Sequence, residues 1–141
     1  MSIDLTGDIQ NVLDGALERA GRAPAIGYID QDGYPQVAHR GSTHVISPTQ
    51  LAIWTRNPAD GMAAAVAANP KVTVAFFDPA GDPLMLSMRG TARVDASRND
   101  EVYAGIGAAE QGYDPDKGGV AIVIDVETVR GFGHSGPVVQ G

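Results

Sequence analysis

Two short stretches of this chain, His39-Arg40-Gly41-Ser42 and Trp54-Thr55-Arg56-Asn57, carry residue types that hold an anion. Arginine presents a planar fork of donors matched to phosphate oxygens. Serine and threonine hydroxyls, an amide and the free N–H groups of a following helix start complete such a site. If the strands bearing these stretches pair as a hairpin, the late part of one lies near the end of the other. Two guanidinium groups, two hydroxyls and an amide then converge, and Trp54 borders any flat ring system bound beside them.

Other constellations carry less. His39 and His44 flank Arg40-Gly41-Ser42-Thr43, but positions an odd number apart on one strand face opposite ways. No acid lies between them, so a metal site is not expected. Ser42 beside a histidine invites a nucleophile reading, yet no Gly-x-Ser-x-Gly elbow surrounds it. Gly105-Ile106-Gly107 begins like a dinucleotide fingerprint, but Glu110 occupies the place of the third glycine. Asp114-Pro115-Asp116 lacks the spacing of a calcium loop and is expected to be a solvated turn.

Length and charge bound the possibilities. The 141 residues suggest a single domain, 1–141, with a formal net charge of −7 and no cysteine. The acidic balance argues against sequence-independent nucleic-acid binding and against anionic membrane surfaces. Without cysteine there is no disulfide, thiolate metal site or catalytic thiol. Asp4 and Asp8 near the start, with no apolar run, do not resemble a signal peptide, and no segment approaches a membrane span. A cytoplasmic location is the expectation.

The elements that must position these residues follow from periodicity. Ile9, Val12, Leu13, Ala16, Leu17 and Ala20 recur at helical spacing and predict one amphipathic helix over 7–21, capped by Thr6 or Asp8 and ended by Gly21. Ala25–Asp30 is a strand, Gln31-Asp32-Gly33 a tight turn, and Tyr34–Val45 a second strand. A third runs Leu51–Thr55. An alanine-rich helix over Met62–Ala68, begun by Asn57-Pro58 or Asp60, is closed by Asn69-Pro70, because the residue before proline disfavours helix. Val72–Phe77 forms a largely buried strand, Pro79–Pro83 a turn and Leu84–Val94 a long strand. Ser97 with Asp100 suggests a capping box ahead of a helix made short or irregular by Gly105 and Gly107. Gln111–Gly119 is a loop, Val120–Phe132 a last strand or strand pair, and 134–141 a tail expected to be mobile. Six or so strands with a few short helices predict a mainly β (α+β) domain, a small antiparallel barrel spanning 25–133 whose closure removes sheet edges.

The order of elements from Ala25 to Val94, together with Trp54-Thr55-Arg56-Asn57 at a strand end and Met88-Arg89-Gly90-Thr91-Ala92 in the last strand, resembles the pyridoxamine 5'-phosphate oxidase-like proteins. The resemblance extends more loosely to Phe132. It implies an antiparallel split β-barrel of the FMN-binding type, working as a homodimer with the flavin at the interface. It implies an FMN-dependent oxidoreductase acting on a small molecule, with FMN performing the hydride chemistry and no essential side-chain acid or base. By the same resemblance, Thr55, Arg56 and Asn57 hold the phosphate. His39, Arg40, Gly41 and Ser42 border the ring, and Trp54 walls the cleft.

Two departures shape the expectation. Many members carry Arg-Lys or Lys at the start of the short helix, where this chain has Asp60-Gly61-Met62; Arg56 or Arg40 is left to substitute. The C-terminal region reads Gly131-Phe132-Gly133-His134-Ser135-Gly136 in place of an Arg- and His-containing substrate motif, so pyridoxamine phosphate is not the expected substrate. The alternatives are a deazaflavin-dependent reductase of the same fold, or a barrel that binds a flavin or a haem without turnover.

Overall fold

A computed structural model describes residues 2–80 and 84–141. Its centre is one antiparallel sheet. The strands are β1 (Ala25–Ile29), β2 (Pro35–His39), β3 (His44–Ser47), β4 (Gln50–Thr55), β5 (Lys71–Asp78), β6 (Leu84–Val94), β7 (Val120–Gly133) and β8 (Gly136–Gln140). Their hydrogen-bonded order is β2-β1-β5-β6-β7-β4-β3, with β8 alongside β7.

The expected second strand, Tyr34–Val45, is two strands. β2 and β3 lie at opposite ends of the order and do not pair with each other, while only residues 40–43 connect them. The five Cα steps from His39 to His44 reach roughly 18 Å at most, so the two edges face each other there across a seam. The barrel is split, and its closure is not made by a continuous ladder. At the crossing the backbone is served otherwise. Arg40 N–H donates to Pro24 O at 2.8 Å, and the N–H and hydroxyl of Thr43 both donate to Arg40 O.

Inside the barrel the inward positions alternate as a pleat requires. Val72, Val74 and Phe76 of β5, Leu86 and Met88 of β6, and Leu51 and Ile53 of β4 are all buried in one cluster with Ile122 and Ile124 of β7. β6 and β7 shift register between Arg89 and Gly90, where Gly90 pairs with Val126 and Arg89 with Thr128. The extra residue, Glu127, is a bulge that bends the sheet. A side chain at Gly90 would collide with the Asp125 carbonyl, so the close approach of β7 demands glycine here. The predicted last strand or strand pair is one bent strand.

The N-terminal helix is broken in two. α1 spans Asp8–Leu13 and α2 spans Ala16–Ala20. Asp14 leaves the helix so that its carboxylate accepts Val45 N–H at 2.9 Å, a donor on the outer edge of β3, and Gly15 turns the chain with φ 66°. Leu5, Ile9, Leu13 and Ala16 are buried, whereas Leu17 is not. Gly7 precedes α1 with no side-chain cap, because the Thr6 hydroxyl goes to Asp4. Gly21 ends α2 in the left-handed conformation, as expected.

α3 covers Met62–Ala68, the predicted span, and packs on β1 and β6. Neither Asn57 nor Asp60 caps it: the Asn57 carboxamide oxygen accepts the N–H groups of Ala59 and Asp60 in the preceding turn, and Gly61 leads into the helix. Of the predicted turn over Pro79–Pro83, residues 81–83 lie outside the described residues. Asp95, not Ser97, caps the next segment, a 3-10 turn over Ala96–Arg98. The helix behind it is divided at Ile106-Gly107 into α4 (Asn99–Gly105) and α5 (Ala108–Gly112). The segment read as a mobile tail forms β8, held on β7 by pairing from Val129↔Gln140 to Gly133↔Gly136.

Candidate functional site

The seam opens on one side into a cleft of about 220 Å³ lined by His39, Arg40, Gly41, Ser42, Trp54, Arg56, Glu110 and Tyr113. The hairpin between β3 and β4 brings these together, since His44 pairs with Ala52 and the chain runs back from there to Ser42 beside Trp54. The Ser42 hydroxyl accepts Trp54 N–H at 3.0 Å and donates to Trp54 O at 3.4 Å. Both of its hydrogen-bonding roles are therefore used as an extra rung of the ladder, and a nucleophilic role has no support.

Of the eight residues expected to bind a cofactor, six line this cleft. Thr55 and Asn57 do not. Thr55 follows the alternation of Leu51 and Ile53 and is only 4% exposed, on the barrel side of β4. The Asn57 carboxamide oxygen is committed to the turn described above. The start of α3 supplies no cation and no side-chain cap.

Trp54 lines the cleft and also ties down the loop beside it. It is buried, its ring meets Tyr103 edge-on at 5.2 Å, and its indole N–H donates to the Asp114 carboxylate at 2.9 Å. The aromatic face open to the cleft belongs to Tyr113, which is 65% exposed, and the Arg56 guanidinium lies 5.5 Å from its ring centroid. Asp114 is not a solvated turn residue. The Trp54 indole bond, followed by the N–H of Gly118, holds its carboxyl below the usual carboxylate range against the opposing effect of burial, and the N–H of Gly119 and the nearby Arg56 add to the lowering.

The electrostatics of the cleft are simple. Among the described residues the ion pairs involve Arg22, Arg93 and Arg98, and neither Arg40 nor Arg56 is paired with a carboxylate. The Arg40 Nε–H is buried with no protein acceptor. Two cationic forks thus converge on a small concave surface of an otherwise acidic chain. Such an arrangement fits the phosphate or carboxylate of a bound group. His39 ends β2, paired with Ala25, and is exposed at the rim. His44 lies buried on β3, so the two imidazoles do not converge. No cluster of metal-ligating side chains is present among the described residues, and none of their helices is long and apolar enough to cross a membrane.

Sequence reasoning missed Glu110, Tyr113 and Asp114. Periodicity carries no signal for them, because their place depends on the α4–α5 break swinging the loop back over β4.

No protein-family model and no curated protein sequence matches this chain. Solved structures do. HupZ of Group A Streptococcus superposes with a TM-score of 0.62 at 16% identity, covering 93% of this chain and 98% of that one. A protein from Clostridium acetobutylicum related to general stress protein 26, of the pyridoxinephosphate oxidase family, gives 0.63 at 18% identity, covering 92% and 94%. The fold is the pyridoxamine 5'-phosphate oxidase-like split barrel. A haem-binding protein from Mycobacterium smegmatis shares this split barrel, with a TM-score of 0.61 at 14% identity over 93% of this chain and 56% of that one. The split barrel therefore includes a protein that binds haem. Identities this low establish architecture alone.

Proposed function

We propose that this chain is an FMN-dependent oxidoreductase acting on a small molecule, with the cofactor held in the seam cleft of a homodimer. The observation that carries the reading is the pair of guanidinium groups, Arg40 and Arg56, which form no salt bridge among the described residues, beside the open face of Tyr113. Arg40 and Arg56 neutralise the phosphate in place of the cation absent from Asp60-Gly61-Met62. Tyr113 lies along the ring system, and Gly41 borders its polar edge. Bound flavin supplies hydride transfer. The protein supplies binding, orientation and exclusion of water.

The volume supports the homodimer. Ligand sites commonly occupy about 300–1,000 Å³, and a cleft of about 220 Å³ takes in part of a flavin. A second copy related by a two-fold axis completes it. The acidic composition and the lack of cysteine agree with a cytoplasmic location. A deazaflavin coenzyme would engage the same two arginines, but its longer acidic tail calls for more bases than the cleft offers.

One observation favours a second reading, a barrel that binds haem without turnover. His39 is an exposed imidazole at the rim of a cleft whose arginines also suit carboxylates, and a solved neighbour binds haem. Titrating the purified protein with FMN and, separately, with haemin while recording absorbance distinguishes the two. The expected result is saturable FMN binding that weakens about tenfold to a hundredfold in Arg56→Ala and in Arg40→Ala, in line with loss of a charge-assisted hydrogen bond. Haemin binding that depends on His39, with no FMN binding, overturns the first reading in favour of the second. A protein that takes neither overturns both.

A further inference from the structure

Next to the cleft is a second, smaller pocket of about 20 Å³, lined among others by Glu18, Gly41, Ser42, His44, Gly105 and Glu110. Gly41, Ser42 and Glu110 line both spaces, so Glu110 stands between them.

His44 gives this chamber its chemistry. The residue is 6% exposed, and its Nδ1 lies 2.7 Å from the Ser42 carbonyl oxygen. A carbonyl oxygen only accepts, so Nδ1 carries the proton. In the neutral ring Nε2 is then an acceptor. It is buried, and no protein donor reaches it. It faces Gly105, where a Cβ would lie 2.5 Å away. Two more glycines admit the carboxylates: Glu18 is seated against Gly107 and Glu110 against Gly41. Glu101, ion-paired with Arg98, also interacts electrostatically with His44. A buried acceptor is rarely left unserved, and a space above about 15 Å³ with several polar partners holds one water.

We propose that this chamber is a one-water proton relay in which His44 exchanges protons with the cleft through Glu110. A proton released in the cleft goes to the Glu110 carboxylate. The resulting acid donates to the water, and the water donates to His44 Nε2. The ring becomes imidazolium and keeps its Nδ1–H on Ser42 O. Only O–H and N–H bonds change, nothing is oxidised, and the reverse sequence returns the proton. Glu110 is the group that meets the cleft, and His44 is the store behind it. The role rests on the cleft being a cofactor site, where hydride chemistry releases or takes up a proton, but its test does not.

The measurement is the rate at which the His44 ring gains and loses its Nε2 proton, read from ¹⁵Nε2 relaxation dispersion by NMR on the ¹⁵N-labelled chain without cofactor, for the parent, Glu110→Gln and Glu18→Gln. Nε2 is the atom that gains and loses the relayed proton, so its exchange reports the relay. Glutamine keeps the shape of Glu110 and cannot carry the proton. The expected result is exchange roughly tenfold slower or more in Glu110→Gln, the low end of what a positioned acid or base contributes, and unchanged in Glu18→Gln. Unchanged exchange in Glu110→Gln overturns the relay, as does slowing confined to Glu18→Gln, and so does a ring whose proton resides on Nε2. FMN titration of the same samples reports separately on the cofactor: unaltered exchange with FMN bound removes the relay alone, and slowed exchange without FMN binding removes the flavin reading alone.

Discussion

The two faces of β4 are built from adjacent residues and do opposite things. Leu51, Ile53 and Thr55 point into the barrel, whose cluster is aliphatic with Phe76 the one aromatic among its fully buried members. Ala52 and Trp54 point the other way, into a small cluster with Val102, Tyr103, Ile106 and Ala121. That second cluster is stitched by polar bonds: Trp54 to Asp114, Gln111 to the Tyr103 carbonyl, and the Asn99 carboxamide oxygen to Ala121 N–H. The barrel side maximises apolar contact, with Thr55 its one polar member on β4. The helix side spends its contacts on orientation and leaves polar atoms at its margin, and there the cleft and the chamber open. One strand separates a stability face from a site face.

The largest expected effect tests the stability face. Ile53 is 0% exposed, and Ile53→Ala should cost about 3–4 kcal/mol by urea denaturation, through lost burial and the cavity left behind, with the cleft residues in place. Trp54→Phe, one residue along, keeps a ring and removes the N–H to Asp114. It should cost about 1–2 kcal/mol and disturb the Asp114 loop, so that Arg56 and Tyr113 lose their alignment and FMN binding weakens more than stability does. If Trp54→Phe destabilises more than Ile53→Ala, the division between the faces fails.

A smaller effect concerns pH. Asp114 has a folded-state value below that of the unfolded chain, chiefly because the Trp54 indole N–H binds its charged form. The stability it contributes is fully present above the ordinary carboxylate range and is lost as pH falls through the lowered value. Asp114→Asn should therefore lower stability near neutrality while changing little at acid pH, which flattens the acid limb of a stability–pH curve. An acid limb that is unchanged in the variant would place the controlling carboxylates elsewhere, with Asp4, Asp30 and Asp95 the next to test, since each is held low by local hydrogen bonds.

Much of the fold was legible because it is written in local periods. The alternation in Val72–Phe77 and Leu84–Val94 and the alanine-rich helix before Asn69-Pro70 each declare an element without reference to the rest of the chain. Six of the eight expected site residues meet in one cleft for a related reason: a hairpin brings Ser42 against Trp54 whatever lies around it. The errors fall where partners are remote. Asp14 breaks the first helix because Val45 needs an acceptor. Asn57 is drawn into its own turn. Thr55 follows the pleat inward, away from Arg56.

By itself, the sequence determined most of the strands but neither the division of Tyr34–Val45 nor β8, and it determined that the chain is acidic and free of cysteine and that arginines and hydroxyls cluster near two strand ends. These are properties of composition and of neighbours along the chain. Tertiary structure alone decided that Tyr34–Val45 divides across a barrel seam, that Arg40 and Arg56 form no salt bridge among the described residues, that Tyr113 and Glu110 reach the cleft and that His44 Nε2 is buried without a protein donor. Strand order and burial depend on hydrogen bonds between residues far apart in sequence, such as Trp54 and Asp114, and a local pattern carries no record of them.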